Sequence, residues 1–196
     1  MSSAGIYKWE VGGRLPRIAG HSLAKHRVIG EYLRRYVAHL TRNPAQDTLR
    51  LTLVDGFAGG GLYRDDNGVE HPGSPQLMLQ AMEDAQRACA AAREKAFRLA
   101  TEFHFVETDA GAVAHLDHVL RDGPWGARLG EDVLIHHGTF ANHYGPIVES
   151  IVARGRARRA IFVLDQYGYK DVPFTLIRDI LARLPNAEII LTFATD

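Results

Sequence analysis

Residues 51–61 read Leu-Thr-Leu-Val-Asp-Gly-Phe-Ala-Gly-Gly-Gly, an apolar run that ends in an aspartate and a glycine-rich loop. A short branched apolar run of this kind predicts a buried strand, which we place at residues 49–54. Glycine tolerates backbone angles and close approaches that a Cβ forbids, so the loop after the strand is a candidate ligand-binding turn. The alternative is a tight turn without a ligand.

Strand and helix patterns alternate on both sides of this segment. This alternation predicts right-handed crossovers and an α/β, Rossmann-like fold, with a mostly parallel sheet and helices on both faces. Ser74 and Pro75 provide a cap and a first helical position for the second helix. The predicted strands are residues 49–54, 103–106, 133–136, 160–164 and 188–193; the predicted helices are residues 23–40, 74 to about 99, 112–120, 144–153 and 174–184.

Length and composition indicate one domain. The chain has 196 residues, 46% of them hydrophobic and 23% charged, within the range of a single packed core. We divide it into an N-terminal segment with an amphipathic helix (1–48) and a Rossmann-like cofactor-binding core (49–196). The formal net charge is +0, so any contact with nucleic acid must be local. The single Cys89, and the lack of a signal-like or membrane-length apolar run, predict a cytoplasmic protein with no membrane contact.

Ligands of open α/β sheets collect beyond the carboxyl ends of the strands. After the first strand, the predicted cofactor-binding residues are Asp55, Gly56, Phe57, Ala58, Gly59 and Gly61. Their spacing does not match G-x-G-x-x-G, no P-loop is present, and an aspartate at the strand end disfavours phosphate. S-adenosylmethionine fits better, because it has no phosphate and carries a positive ammonium and sulfonium.

The ends of the next strands supply the remaining candidates. Glu107 is predicted to accept hydrogen bonds from both ribose hydroxyls, with Asp109 as its rival, and either carboxylate is also a candidate cap for the next helix. Thr139 and Phe140 are predicted to line an adenine pocket. Asp165 and Tyr167 follow the fourth strand and are the predicted catalytic residues, with the carboxylate orienting an amine and the ring stacking on a base. The alternative is that Asp165 caps a loop and the tyrosines pack.

At these residues the sequence resembles the three-Cys-motif partner (TcmP) family, a branch of the class I S-adenosylmethionine-dependent methyltransferase fold. The resemblance covers most of the chain. It implies S-adenosylmethionine as cofactor, methyl transfer as activity and a partner protein that carries three cysteines. The residues that carry it are His21-Ser22-x-x-Lys25-His26, Asp55-Gly56-Phe57-Ala58-Gly59, Gly73-Ser74-Pro75, Phe105-Val106-Glu107 and Phe162-Val163-Leu164-Asp165.

Two departures from the family pattern leave alternatives open. Gln166 stands where amino-directed methyltransferases of this fold carry a proline, and the two-strand C-terminal hairpin of the complete fold does not follow the fifth strand. We therefore expect methyl transfer to an amine of a nucleobase or nucleic acid, with a non-catalytic subunit that binds a partner protein or nucleic acid as the alternative. A nicotinamide-dependent oxidoreductase is disfavoured by the glycine spacing. Contact with a second copy would protect the last strand, so a homo-oligomer is also an expectation.

Ten histidines raise the question of a metal site. His115 with His118, and His136 and His137 near His143, are the candidate pairs. Without further cysteines or an H-E-x-x-H motif, we predict no metal.

Overall fold

A computed structural model of the protein describes residues 7–155, 159–166 and 171–193. No helix within these ranges combines the length and apolarity needed to cross a bilayer. In chain order, the elements are α1 (Gly20–Leu40), β1 (Thr48–Asp55), β2 (Leu62–Arg64), β3 (Glu70–Pro72), α2 (Ser74–Ala91), β4 (Arg98–Glu107), α3 (Ala110–Asp122), β5 (Val133–His137), α4 (Phe140–Ala153), β6 (Ala160–Gln166), α5 (Phe174–Arg183) and β7 (Ala187–Phe193).

The main sheet has five parallel strands in the order β5-β4-β1-β6-β7. The predicted α/β class and parallel sheet are confirmed, and the order is compatible with a Rossmann-like fold. The chain moves outward from β1 through β4 to β5, and then crosses to β6 and β7 on the other side. The strand order therefore reverses next to β1, which is where ligands bind in sheets of this class.

Each face of the sheet has its own hydrophobic core, because alternate side chains of a strand point to opposite faces. In β1, Leu51 and Leu53 belong to the core beneath α1, α2 and α3, whereas Val54 belongs to the core beneath α4 and α5. All three side chains are fully buried. The near-continuous apolar character of β1 follows from this two-sided burial.

The second predicted helix is too long, and the second predicted strand is too short. Helix α2 ends at Ala91, and β4 begins at Arg98 and pairs with the whole of β1. The Gln86 side chain fixes this boundary, because it donates to the carbonyl of Phe97 and accepts from the amide of Leu99. Pairing with the eight-residue β1 thus outweighs the local helical pattern around Leu99.

Two further details differ from the sequence prediction. Ser74 is the first helical residue of α2, and Gly73 is its N-cap, where a Cβ would lie 2.9 Å from the carbonyl oxygen of Gly61. Helix α4 begins at Phe140 rather than 144, because the Thr139 side chain caps it by accepting from the amide of Asn142. The hairpin of β2 and β3 was not predicted; it forms a separate two-stranded sheet after the glycine loop.

Candidate functional site

Three carboxylates meet at the carboxyl edge of the sheet, beside β1. Asp55 ends β1 and lies opposite Phe105 of β4 and Val163 of β6. The two flanking strands continue beyond this point and carry Glu107 and Asp165. Burial is the main cause that raises the pKa of Asp55, and the charges of Asp165 and Glu107 add to it. We use the name crevice for the region bounded by Asp55, Glu107 and Asp165, at the point where the strand order reverses. The structure thus brings together three of the carboxylates that the sequence places at the carboxyl ends of the strands.

Asp55 is a buried carboxylate with an unsatisfied oxygen. Its residue is 1% exposed; Oδ1 accepts from the amide of Phe57 at 3.0 Å, and Oδ2 has no hydrogen-bond partner. Burial raises the pKa of Asp55 to about 6, whereas hydrogen bonding from the Ser74 side chain and from the Phe57 amide lowers it; the Ser74 contact is too long or too bent to satisfy Oδ2 fully. A buried carboxylate oxygen without a donor is costly. Oδ2 of Asp55 therefore keeps acceptor capacity for a ligand.

Glu107 fastens the glycine loop to β4. Its Oε2 accepts from the amide of Gly59 at 2.9 Å, and its Oε1 accepts from the amides of Thr108 and Asp109 at 2.7 and 2.9 Å. Each carboxylate oxygen can accept two hydrogen bonds, so Oε1 is fully used and Oε2 has one acceptor position left. A ribose would therefore meet one free position on Glu107, whereas the sequence prediction required two.

Asp109 is the N-cap of α3. Its Oδ1 accepts from the amide of Ala112 at 2.8 Å. The sequence left two roles open for Asp109, a contact with ribose and a helix cap, and in the structure Asp109 caps the helix.

A tryptophan from the N-terminal segment covers the glycine loop. A Cβ on Gly60 would lie 2.3 Å from Cγ of Trp9, and a Cβ on Gly59, which has a φ of +64°, would lie 2.9 Å from the hydroxyl of Tyr63. The Trp9 Nε1 donates to the carbonyl of Leu62 at 2.9 Å, and the residue is 7% exposed. Packing within the chain therefore requires glycine at both positions, independently of any ligand.

Gly56 and Phe140 belong to the floor of the crevice. A Cβ on Gly56 would lie 2.7 Å from Leu164 and 3.2 Å from the ring of Phe140. That ring is buried in the core and makes an edge contact with Phe162. The Phe140 ring is thus part of the core, which leaves only backbone groups of Thr139 and Phe140 for the predicted adenine role.

The other predicted loop residues also have contacts within the chain. Ala58 is buried, and its amide donates to the carbonyl of Val106 at 3.0 Å. The Phe57 side chain is partly buried and packs against the core beneath α4 and α5. Gly61 has a φ of +87°, and a Cβ there would lie 3.0 Å from Leu116. The loop is a firmly packed turn.

Asp165 is held by two other elements. The Lys25 ammonium of α1 lies 2.5 Å from Oδ2 of Asp165, and the Thr192 hydroxyl of β7 donates to Oδ1. Both oxygens of the predicted catalytic carboxylate are therefore engaged. The other predicted catalytic residue, Tyr167, lies outside the described residues.

Four residues near the crevice had no functional role in the sequence prediction: Trp9, Lys25, His26 and Tyr63. Lys25 and His26 appeared only as part of the family resemblance. Tyr63 is on the hairpin that the sequence did not predict; burial is the main cause that raises the pKa of its phenol, and the carboxylates of the crevice add to it. The motif His21-Ser22-x-x-Lys25-His26 therefore marked two of them without assigning a role, and the sequence carries no local signal for Trp9 and Tyr63, whose neighbours in space are far away along the chain.

The histidines that the sequence raised as metal candidates have partners within the chain. His115 is buried, and its Nδ1 is hydrogen-bonded to the carbonyl of Gly60. His104 lies between Glu102 and His136, with contacts of 2.9 and 3.0 Å. Across residues 7–155, 159–166 and 171–193, no three or more His, Cys, Asp or Glu side chains form a group that could hold a metal ion.

No protein-family model matches this chain, and no curated protein is similar enough to count as a relative. The chemistry of the crevice is therefore the basis for a functional assignment. Three carboxylates against one lysine favour a cationic ligand and disfavour a phosphorylated one.

Proposed function

We propose that this protein is an S-adenosylmethionine-dependent methyltransferase and that the crevice holds its cofactor. The observation that carries the proposal is the unpartnered Oδ2 of Asp55, which is buried at the reversal point of a parallel sheet. The methionine ammonium or the sulfonium of the cofactor offers the positive charge that this oxygen lacks. NAD and nucleoside triphosphates would instead bring negative charge towards Asp55, Glu107 and Asp165.

The residues present fit the cofactor in a defined way. Asp55 would hold a cationic group, and the remaining acceptor position of Glu107 Oε2 would take one ribose hydroxyl. The packed rings of Trp9 and Tyr63, with centroids 5.3 Å apart, lie next to the glycine loop. When bound, S-adenosylmethionine supplies an electrophilic methyl group. The contribution of the chain is to bind and orient it and to present an acceptor in line with the breaking bond.

For the acceptor, we propose an amine of a nucleobase or nucleic acid. This rests on the position of Asp165 at the end of β6, where a carboxylate accepts a hydrogen bond from an amine and directs its lone pair, and on the tyrosines that follow it in the sequence. The resemblance to the TcmP family supports both the cofactor and a protein partner with three cysteines.

One observation favours the second candidate, a non-catalytic subunit with a methyltransferase-like fold. Lys25 and Thr192 engage both oxygens of Asp165, so the carboxylate has less capacity for an incoming amine. In that case, the crevice binds the cofactor but transfers no methyl group, and the domain serves a partner protein or nucleic acid.

Isothermal titration calorimetry with S-adenosylmethionine, and separately with NAD, tests the cofactor. We expect one molecule of S-adenosylmethionine per chain, no heat with NAD, and loss of binding in Asp55→Asn. The matched control is Asp165→Asn, which should bind normally. Binding of NAD alone, or equal losses in both variants, would contradict the proposal.

Transfer of a radiolabelled methyl group to RNA, DNA and protein pools then separates the two candidates. Label on nucleic acid that is lost in Asp165→Asn supports the enzyme. Tight binding of the cofactor without label on any of the three pools supports the non-catalytic subunit.

A further inference from the structure

We infer that His26 is the proton acceptor at the acceptor end of the crevice and that its Nδ1 receives an N–H donor from the amine to be methylated. This inference rests on the proposed function, because it names a catalytic group for the same site. It adds a residue on α1, outside the strand ends where the chemistry of such sheets is usually sought.

The position of His26 follows from its neighbour on α1. Lys25 lies 2.5 Å from Asp165, which brings this turn of α1 to the end of β6. The His26 ring lies 6.3 Å, centroid to centroid, from the ring of Tyr63. Asp165, Lys25 and His71 all act electrostatically on the imidazole. His26 thus lies among the charged groups of the crevice, on the side of Asp165.

The Nδ1 atom of His26 is buried and has no hydrogen-bond partner. Among the described residues, this is true of only two other side-chain atoms, the Tyr36 hydroxyl oxygen and Asp55 Oδ2. Unsatisfied buried polar atoms are rare and call for an explanation such as a catalytic role or a ligand. Two of the three atoms border the same crevice, one on the cofactor side and one on the side of Asp165.

The proposal requires the neutral tautomer that carries its proton on Nε2. The Pro72 carbonyl raises the pKa of the ring by accepting a hydrogen bond from it, and Nδ1 has no hydrogen-bond partner. We therefore assign the proton to Nε2 and the lone pair to Nδ1. Burial lowers the pKa of His26, and the charges of Lys25 and His71 act in the same direction against the opposing effect of Asp165. The imidazole is thus neutral near pH 7 and is able to accept a proton.

Asp165 is the less suitable proton acceptor of the two groups. Its oxygens already interact with the Lys25 ammonium and the Thr192 hydroxyl, whereas His26 Nδ1 has no partner. In the proposed step, the lone pair of the amine nitrogen forms a bond to the methyl carbon, and the carbon–sulfur bond breaks with its electron pair left on sulfur. The nitrogen gains a positive charge and releases one proton to Nδ1 of His26. The resulting imidazolium is stabilised by the carboxylate of Asp165.

Sinefungin is a suitable probe because it carries a primary ammonium where S-adenosylmethionine carries the transferred methyl. S-adenosylhomocysteine has neither group and is the matched ligand. We expect His26→Phe to bind sinefungin about tenfold more weakly than the wild type and to bind S-adenosylhomocysteine within about twofold of it, since one hydrogen bond to a charged donor is lost. His26→Asn places an acceptor near the position of Nδ1 and should restore most of the sinefungin affinity. His39→Phe, on the exposed far end of α1, should change neither affinity.

A measurement on the unmodified chain avoids dependence on how the variants fold. In nitrogen-15 NMR spectra, we expect the Nδ1 resonance of His26 to lie at the position of an unprotonated nitrogen and to move upfield with sinefungin but not with S-adenosylhomocysteine. Equal affinity losses for both ligands in His26→Phe, or a resonance that sinefungin leaves unchanged, would overturn the inference while the proposed function stands. If neither ligand binds the wild type, the proposed function fails, and this inference fails with it.

Discussion

Asp55 should destabilise the ligand-free protein near neutral pH, and Asp55→Asn should relieve this cost. The pKa of Asp55 is raised from 3.8 to about 6, chiefly by burial. Because its pKa is higher in the folded chain, Asp55 binds its proton more tightly there than in the unfolded chain. This proton contributes its full stabilisation below pH 3.8, and the contribution is lost as the pH rises through 6. The full cost corresponds to about 3 kcal/mol.

The magnitude at two pH values follows from these two pKa values. At pH 7.5 nearly the whole cost of about 3 kcal/mol applies, whereas at pH 4.5 only about 1 kcal/mol applies. Asparagine has nearly the same shape but no charge, and it removes this titration. Its amide introduces a cost of its own, but that cost does not depend on pH and cancels when the two conditions are compared. The stability of Asp55→Asn relative to the wild type should therefore increase by about 2 kcal/mol between pH 4.5 and pH 7.5.

Urea unfolding followed by circular dichroism at both pH values measures this difference. The matched control is Asp117→Asn on the surface of α3, where Asp117 pairs with Arg121; its effect should stay within about 0.5 kcal/mol at both pH values. If the stability of Asp55→Asn relative to the wild type is flat with pH, or decreases as the pH rises, burial does not raise the pKa of Asp55.

Three further predictions concern the surroundings of the crevice. Gly60→Ala should displace the indole that covers the loop and lower the free energy of unfolding by about 1–3 kcal/mol, measured by urea unfolding, whereas Gly20→Ala, where a Cβ meets nothing within 4 Å, should have little effect. A double-mutant cycle of Lys25→Met and Asp165→Asn should give a coupling energy of about 1 kcal/mol or less, because the pair is partly exposed; a coupling several times larger would contradict this. His136, whose pKa is lowered to about 4 mainly by burial, should stay neutral at pH 5.5 in an NMR titration, and it should make the fold less stable as the pH falls from 6.5 towards 4.

The sequence predicted the parallel sheet because strand and helix periods alternate clearly along the chain. It did not predict the full length of β4. The pairing of β4 with β1 involves residues about 50 positions apart, and the local pattern before residue 99 favours a helix. The β2–β3 hairpin was missed for a related reason, since its two three-residue strands are too short to show a period.

The convergence of the three carboxylates was predictable, because parallel strands end at the same edge of a sheet. The partners of these carboxylates were not. Lys25 and Asp165 are 140 positions apart, and no short-range pattern relates them. The glycine loop was correctly recognised as a special turn, but Trp9 and Tyr63 explain two of its glycines. A requirement for glycine in a sequence does not reveal whether a ligand or a side chain comes close.

The most direct test of the account is a crystal structure of the protein with S-adenosylmethionine or S-adenosylhomocysteine. We expect the ligand in the crevice, with its ammonium or sulfonium within about 4 Å of Oδ2 of Asp55 and a ribose hydroxyl on Oε2 of Glu107. A saturated crystal in which Oδ2 binds only water, or in which the ligand occupies another part of the protein, would contradict the claim that this carboxylate selects a cationic cofactor.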